Sequence, residues 1–320
     1  MDIQIICDIP IAMSTKVIVI AGPTASGKSA LALGVAEALN GTIINADSMQ
    51  VYRDLSVVTA RPSPEDMARA PHRLYGTLDG AELCSAARWA ELARQEIEAS
   101  AEAGRLPILC GGTGLYLRTL LYGIAPVPEI PEAIRKAARQ SHAELGGEAF
   151  RDELAKLDPE AAAKLHASDS QRLMRAYEVV AATGMTLAAW QAAQPPAETG
   201  LAPESFILLP PREALYEAID RRFAGMVAAG ALEEVEALVA RGLAPEFPVM
   251  KAVGVPELSA YLAGRIPLDL AISQAQQASR RYAKRQFTWF RHQMPSALVI
   301  NEKYSINLIG RICQIICKDA

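Results

Sequence analysis

Eight residues, Gly22-Pro23-Thr24-Ala25-Ser26-Gly27-Lys28-Ser29, fit the pattern G-x-x-x-x-G-K-[ST] at every fixed position. The chemistry of such a loop is phosphate binding. Gly22 and Gly27 let the backbone curl until successive N–H groups point at one anion. Lys28 adds a full positive charge, and the Ser29 hydroxyl is a ligand for Mg2+. Thr24 and Ser26 lie inside the loop, placed to touch the same group. The loop specifies a diphosphate or a triphosphate, without saying which molecule carries it. A second candidate is Asp47, in Ala46-Asp47-Ser48-Met49-Gln50, a carboxylate available as a proton acceptor. A third is the cluster Gly111-Gly112-Thr113-Gly114. The last is Arg280-Arg281-Tyr282-Ala283-Lys284-Arg285-Gln286-Phe287-Thr288-Trp289-Phe290-Arg291, with five cations and no acid. Cations so arranged make phosphate contacts, and Arg280, Arg281, Lys284 and Arg285 are the candidates; a solvated basic face is the plainer alternative.

These residues need elements to hold them. Val17–Ala21 reads as a short apolar strand, and a helix follows the phosphate loop from Ser29 to Leu39. Strand, glycine loop and helix are the context that the motif requires. Asn40-Gly41 stops the helix, and Thr42–Asn45 is a second strand. Ligands of open α/β sheets sit outside the carboxyl ends of strands, which directs Asp47 toward the phosphate cleft. Its other common role is to cap a turn. Val57–Ala60 reads as a further strand, Pro64–Ala68 as a short helix, and Ser85–Ala103 as a long helix with Ser85 as its N-cap. His72 is isolated and reads as a packing residue. Leu106–Cys110 is a buried strand running into the glycine cluster, and it lacks the terminal Asp that holds Mg2+ in phosphate-loop ATPases.

Ile124–Pro131 holds three prolines and marks a domain boundary. Residues 132 to 194 are almost entirely helix-forming and break at Asp158-Pro159 and Thr183-Gly184, with Pro195-Pro196 closing the stretch. The expected organisation is therefore an extension at 1–14, an α/β phosphate-loop core with a parallel sheet at 15–121 and 205–300, an all-helical insertion at 122–204, and a tail at 301–320. In the second core segment, Phe206–Leu209 is a strand, and helices run over 212–229, 231–240, 256–262 and 268–291.

Composition sets outer limits. A chain of 320 residues with 51% hydrophobic and 21% charged residues is that of a soluble globular protein of about two domains. The net charge of −4 confines nucleic-acid binding to a local patch. The five cysteines form no C-x-x-C pair, which argues against zinc and for a reduced, cytoplasmic compartment. No stretch is long enough in apolar residues to span a membrane.

In combination these segments resemble the tRNA dimethylallyltransferase family, also called tRNA isopentenyltransferase, in its bacterial form. The resemblance covers roughly residues 16 to 295 and rests on six motifs in order. They are the phosphate loop at 22–29, Asp-Ser-Met-Gln-Val-Tyr-Arg at 47–53, Thr-Ala-Arg-Pro at 59–62, Gly-Gly-Thr-Gly-Leu-Tyr at 111–116, Asp-Ser-Gln-Arg-Leu-Met-Arg at 169–175, and Ala-Lys-Arg-Gln-Phe-Thr-Trp-Phe-Arg at 283–291. The resemblance implies a reaction: dimethylallyl diphosphate donates its five-carbon group to N6 of the adenosine on the 3′ side of a tRNA anticodon, and diphosphate leaves. It implies Mg2+ as cofactor, the tRNA anticodon stem-loop and dimethylallyl diphosphate as partners, no membrane, and a monomer. It further implies that Asp47 takes the amine proton, that Thr113 lies where adenosine and donor meet, and that Arg222 binds the diphosphate. By the same pattern Asp47, Ser48, Met49, Gln50, Thr113, Arg135, Gln171, Arg172, Leu173, Met174 and Arg175 contact tRNA, as do Lys251, Ala252, Val253, Gly254, Val255 and Pro256. The chain departs from the pattern at Val255-Pro256, where the family usually carries an aromatic. Two other classes share the loop and the carboxylate: a small-molecule kinase using ATP, and an RNA-binding NTPase. The missing Asp after the 106–110 strand weakens both.

Overall fold

The computed structural model of the protein describes residues 14–194 and 199–318. Their elements run β1 (Thr15–Ala21), α1 (Lys28–Ala38), β2 (Gly41–Asn45), α2 (Pro64–Arg69) and β3 (His72–Arg73). Next come α3 (Ala86–Glu102), β4 (Leu106–Gly111) and α4 (Gly114–Tyr122). Four helices follow: α5 (Glu132–Ala155), α6 (Pro159–Lys164), α7 (Ser170–Thr183) and α8 (Leu187–Ala192). The chain then forms β5 (Leu201–Leu208), α9 (Arg212–Ala228), α10 (Ala231–Ala240), α11 (Val255–Leu262), α12 (Leu268–Gln293), β6 (Leu298–Ile300) and α13 (Ile306–Lys318).

The strands make one six-stranded sheet in the order β3-β2-β4-β1-β5-β6, and every pairing is parallel. Parallel sheets are covered on both faces, so their strands are apolar throughout rather than alternating. Strand β1 has that pattern. Val17, Val19 and Ala21 enter one core cluster with Leu109 and Ile207, while Ile18 and Ile20 enter the other with Ile108 and Phe206. All five β1 residues named are fully buried, and each large one contributes about 1.5–3 kcal/mol by leaving water. Because all strands point one way, the loops after β1, β2, β4 and β5 emerge along a single edge.

Two compact units result, one from the described parts of Met1–Leu121 and Thr199–Ala320, the other from those of Tyr122–Glu198. The second unit is helical and has its own core around Phe150, Leu154, Leu173 and Val180. Within it α5 breaks at Gly146, α6 starts on an Asp158 cap, and α7 ends on Gly184 in the left-handed conformation.

The structure departs from the sequence reading in several places. Residues 57–60 form turns rather than a strand, although two valines favour extended backbone. The N–H groups of Ser56, Val57 and Val58 all donate to the carboxylate of Glu234, on α10, which satisfies them without a ladder. Strand β5 begins at Leu201, inside the range expected for the insertion, and pairs with β1 from Thr15 onward. Pro203 obscures it in the sequence, but β6 reaches only Phe206–Leu208, so Pro203 sits where β5 has no second neighbour. The tail contains α13, which buries Leu308, Ile312 and Ile316 in the same cluster as Leu31 and Val35 of α1. The expected extension at 1–14 and the closing Pro195-Pro196 lie outside the described residues, apart from Ser14.

Candidate active site

The phosphate loop joins β1 to α1, with Gly22 at a φ of 153° and Gly27 at 91°, backbone that other residues rarely adopt. Ser26 is buried, and its hydroxyl has no hydrogen-bond partner among the described residues. The Lys28 ammonium donates to the loop's own Pro23 carbonyl at 3.3 Å. From α9 the Arg222 guanidinium donates to the Thr24 hydroxyl. Burial lowers the pKa of Lys28, with Arg222 adding to the effect and Cys110 and Asp47 opposing it. Burial likewise lowers that of Arg222, against Asp47. Two desolvated cations and an orphaned hydroxyl around one curled backbone form a cradle for a multiply charged anion.

Asp47 follows β2 and is held by its neighbours. Its N–H donates to Asn45 Oδ1 at 2.9 Å, while Asn45 Nδ2 donates back to the Asp47 carbonyl at 3.0 Å. Asn45 is fully buried and also accepts from the Trp89 indole through its carbonyl, at 2.9 Å. One oxygen of Asp47 accepts from the Met49 N–H at 2.9 Å. The capping role and the cleft-facing role are thus both realised, because Asp47 also lines a cavity beside the phosphate loop.

That cavity has a volume of about 230 Å3. Thr24, Asp47, Arg222 and Lys251 give it polar groups, and Val58, Ile219, Phe223 and Met226 give it an apolar wall. Tyr282 and Arg285 line it from α12, with the guanidinium carbon 5.6 Å from the centre of the Tyr282 ring. Burial holds the Tyr282 phenol well above its usual pKa, so the hydroxyl stays protonated. Ser29 lies elsewhere, facing a neighbouring hollow beside Arg61, Arg69 and Tyr304, while the Cys110 thiol is buried at the end of β4. Burial pushes that thiol up to about 11, which makes it unreactive.

The Thr113 hydroxyl accepts from the Ser48 N–H at 2.9 Å and lies 3.3 Å from the Ser48 hydroxyl, so it ties the β4 loop to the Asp47 turn. The amide of Gln50 donates to the carbonyls of Thr59 and Ala60 at 2.8 and 3.0 Å. Lys251 is exposed at the cavity mouth and Val253 is half-buried there. Ala252 and Gly254 are buried, with Ala252 nonetheless lining the cavity; Val255 is fully buried, which corrects the expectation that its side chain meets tRNA, while Pro256 is exposed. Leu173 needs the same correction, since it is fully buried in the helical unit's core and its neighbour Met174 is half-buried. Gln171, Arg172 and Arg175 are exposed on α7, and Arg135 is half-buried on α5. Arg281, Lys284 and Arg285 are exposed on α12, whereas Arg280 is ion-paired with Asp220.

Sequence reasoning missed two residues here. Glu234 gathers four donors from residues 56–58 and so shapes the loop that brings Val58 and Thr59 to the cavity. Gln286 is buried between both glycine loops. Neither belongs to a local pattern, and only an acid or amide amid a packed helix face could have signalled them.

Known proteins supply an independent line of argument. The family model described as IPP transferase matches residues 50–293. The chain is 54% identical over 301 residues to the tRNA dimethylallyltransferase of Paramagnetospirillum magneticum, covering 93% of this chain and 95% of that one. It is 55% identical to that of Rhodospirillum rubrum, covering 90% and 89%. Among solved structures, the full-length tRNA isopentenylpyrophosphate transferase of Bacillus halodurans superposes with a TM-score of 0.69 at 33% identity, covering 95% and 96%. A eukaryotic dimethylallyltransferase captured acting on tRNA superposes at 0.74 with 28% identity, covering 90% of this chain and 74% of that one. On a family match over residues 50–293 and relatives more than half identical across most of both chains, the chain belongs to the tRNA dimethylallyltransferase family.

Proposed function

We propose that the protein transfers a dimethylallyl group from dimethylallyl diphosphate to N6 of the adenosine 3′-adjacent to the anticodon of tRNA. The observation that carries this is one cavity that joins Thr24 of the phosphate loop and the Arg222 guanidinium to an apolar wall and the Asp47 carboxylate. Its apolar wall of Val58, Ile219, Phe223 and Met226 suits a prenyl chain better than the ribose of ATP.

The N6 lone pair forms a bond to C1 of the donor as the C1–O bond breaks, and diphosphate departs with the electron pair. The N6 proton passes to the Asp47 carboxylate. Lys28, Arg222 and the loop amides stabilise the charge that grows on the leaving group. Val58, Ile219, Phe223 and Met226 hold the prenyl chain and exclude water from its reactive carbon. The adenine must leave its stack to reach the cavity, as chemistry on a base requires. Thr113 holds the Asp47 turn through Ser48 at the acceptor side.

Mg2+ fits the loop's donor set. The Ser29 hydroxyl is an oxygen ligand, and no group of three or more His, Cys, Asp or Glu among the described residues is arranged to hold a metal. A cation there would draw its other ligands from diphosphate and water, as Mg2+ does. When bound it neutralises charge on the departing diphosphate. The exposed Gln171, Arg172 and Arg175, together with Arg135, supply contacts to the anticodon stem-loop from the helical unit. Ser48, Met49, Gln50 and Lys251, with Arg281, Lys284 and Arg285, supply them from the core. No helix among the described residues is long and apolar enough to cross a membrane, which suits a cytoplasmic enzyme.

The test incubates the protein with Mg2+, labelled dimethylallyl diphosphate and unmodified tRNA, and in parallel with labelled ATP. Label passing from the prenyl donor to tRNA is the expected result. Phosphoryl transfer or phosphate release from ATP in its place would overturn the proposal.

A further inference from the structure

Gln286 lies on α12 and is 5% exposed. Its Oε1 accepts from the Thr24 N–H at 2.8 Å, in the phosphate loop. Its Nε2 donates to the Gly112 carbonyl at 2.8 Å, in the loop after β4. The amide orientation is fixed by its partners, since a backbone N–H only donates and a carbonyl only accepts. A Cβ added at Gly112 would lie 3.2 Å from the Gly22 carbonyl oxygen, so the two loops also approach each other directly. The next residue, Thr113, holds the Asp47 turn through Ser48.

We propose that Gln286 is a positioning residue that sets the spacing between the donor-side loop and the acceptor-side loop. This rests on the function proposed above. Transfer requires the donor carbon and the adenine amine at near-attack distance, and a displacement of about 1 Å can cost on the order of 10²-fold in rate. One side chain that pins Thr24 and Gly112 together fixes the relation between the two substrates while touching neither. Its loss should therefore affect the transfer step more than the binding of either substrate alone.

Two variants test this against the parent enzyme. Gln286→Met keeps the length and loses both hydrogen bonds. Its single-turnover rate, with donor and tRNA both saturating, should fall roughly 10–10²-fold. The Kd for each substrate should change less than about threefold. Gln286→Glu keeps the shape and the acceptor oxygen but, when ionised, sets a carboxylate against the Gly112 carbonyl. Once protonated it can donate there again, so its rate relative to the parent should recover as pH falls. Rates of both variants within twofold of the parent, losses confined to substrate affinity, or a flat Glu-to-parent ratio across pH would overturn the proposal. A parent enzyme that moves no prenyl label would instead refute the function on which the proposal rests. If Gln286→Met melts before assay, the pH dependence of Gln286→Glu decides the matter.

Discussion

Two glycine loops leave the neighbouring strands β1 and β4, and each runs into a helix, but their glycines meet different needs. In the first loop Gly22 and Gly27 adopt positive φ, and the conformation itself builds the cradle. In the second, Gly111, Gly112 and Gly114 all lack positive φ. Room alone constrains them: an added Cβ would strike the Ala46 backbone, the Gln286 amide and the Trp289 ring respectively, whereas Gly22 and Gly27 are crowded by Leu208 and Tyr304 and need positive φ as well. The first loop holds the curled backbone that we propose receives the diphosphate. The second is shaped by packing and holds the Asp47 turn through Thr113. A glycine-rich turn after a strand is thus no sign of an anion site by itself. The lysine and hydroxyls that accompany it make the difference.

The sharpest test of this division is Asp47→Asn. It removes the group that the second loop holds in place while keeping the acceptor for the Met49 N–H. Turnover should fall about 10²–10⁴-fold, the range for losing a general base. Donor affinity should hardly change, and single-turnover transfer at saturating substrates separates chemistry from binding. A rate within a few-fold of the parent would reduce Asp47 to a turn-former. Lys28→Ala addresses the first loop. Losing one preorganised charge should lower kcat on the order of 10²–10³-fold, with tRNA affinity retained. If tRNA binding collapsed as well, the loops would not divide donor from acceptor as argued.

Gly114→Ala should act on stability more than on chemistry. The backbone there tolerates alanine, but the Trp289 ring does not. Overpacking of this kind costs about 1–3 kcal/mol, read as a shift in the denaturant midpoint. Adding Trp289→Phe should restore part of the loss. An unshifted midpoint for the single variant would show that the second loop is not packed as described.

The first loop was legible in the sequence because its whole mechanism is local: strand, eight residues and helix. Asp47 was legible through its place at a strand end, although Asn45, which shapes its turn, was not singled out. Gln286 and Glu234 were not legible, because their partners lie 262 and as many as 178 residues away in the chain. Arg222 entered only by resemblance, since nothing in Asp220-Arg221-Arg222 distinguishes the arginine facing the cavity from its exposed neighbour. The two valines at 57 and 58 misled because a carboxylate from α10, rather than a strand, satisfies their backbone. β5 was read too short because Pro203 and Glu204 interrupt its apolar run.

The smallest expected effect belongs to α12, which carries both kinds of residue on different faces. Its buried face secures the second loop through Gln286 and Trp289. Its exposed face presents Arg281, Lys284 and Arg285, at i, i+3 and i+4, as a single row. Arg280 stands apart from that row because Asp220 engages its guanidinium. Arg285 is compromised as a probe, since it also lines the cavity and lies over Tyr282. Arg281→Gln with Lys284→Gln is therefore the clean test of phosphate binding. Removing one phosphate-neutralising cation should flatten the plot of log affinity against log salt by roughly 0.7–0.9, so the pair should reduce the slope by about 1.4–1.8. Arg280→Gln should leave the slope unchanged, because its charge is already neutralised by Asp220. Donor affinity should be the same in all variants. The measurement is tRNA binding across a potassium chloride series. An unaltered slope in the double variant would make this row a solvated basic face and confine tRNA phosphate binding to other surfaces. A slope reduced equally by Arg280→Gln would mean that the Asp220 pair opens when tRNA arrives.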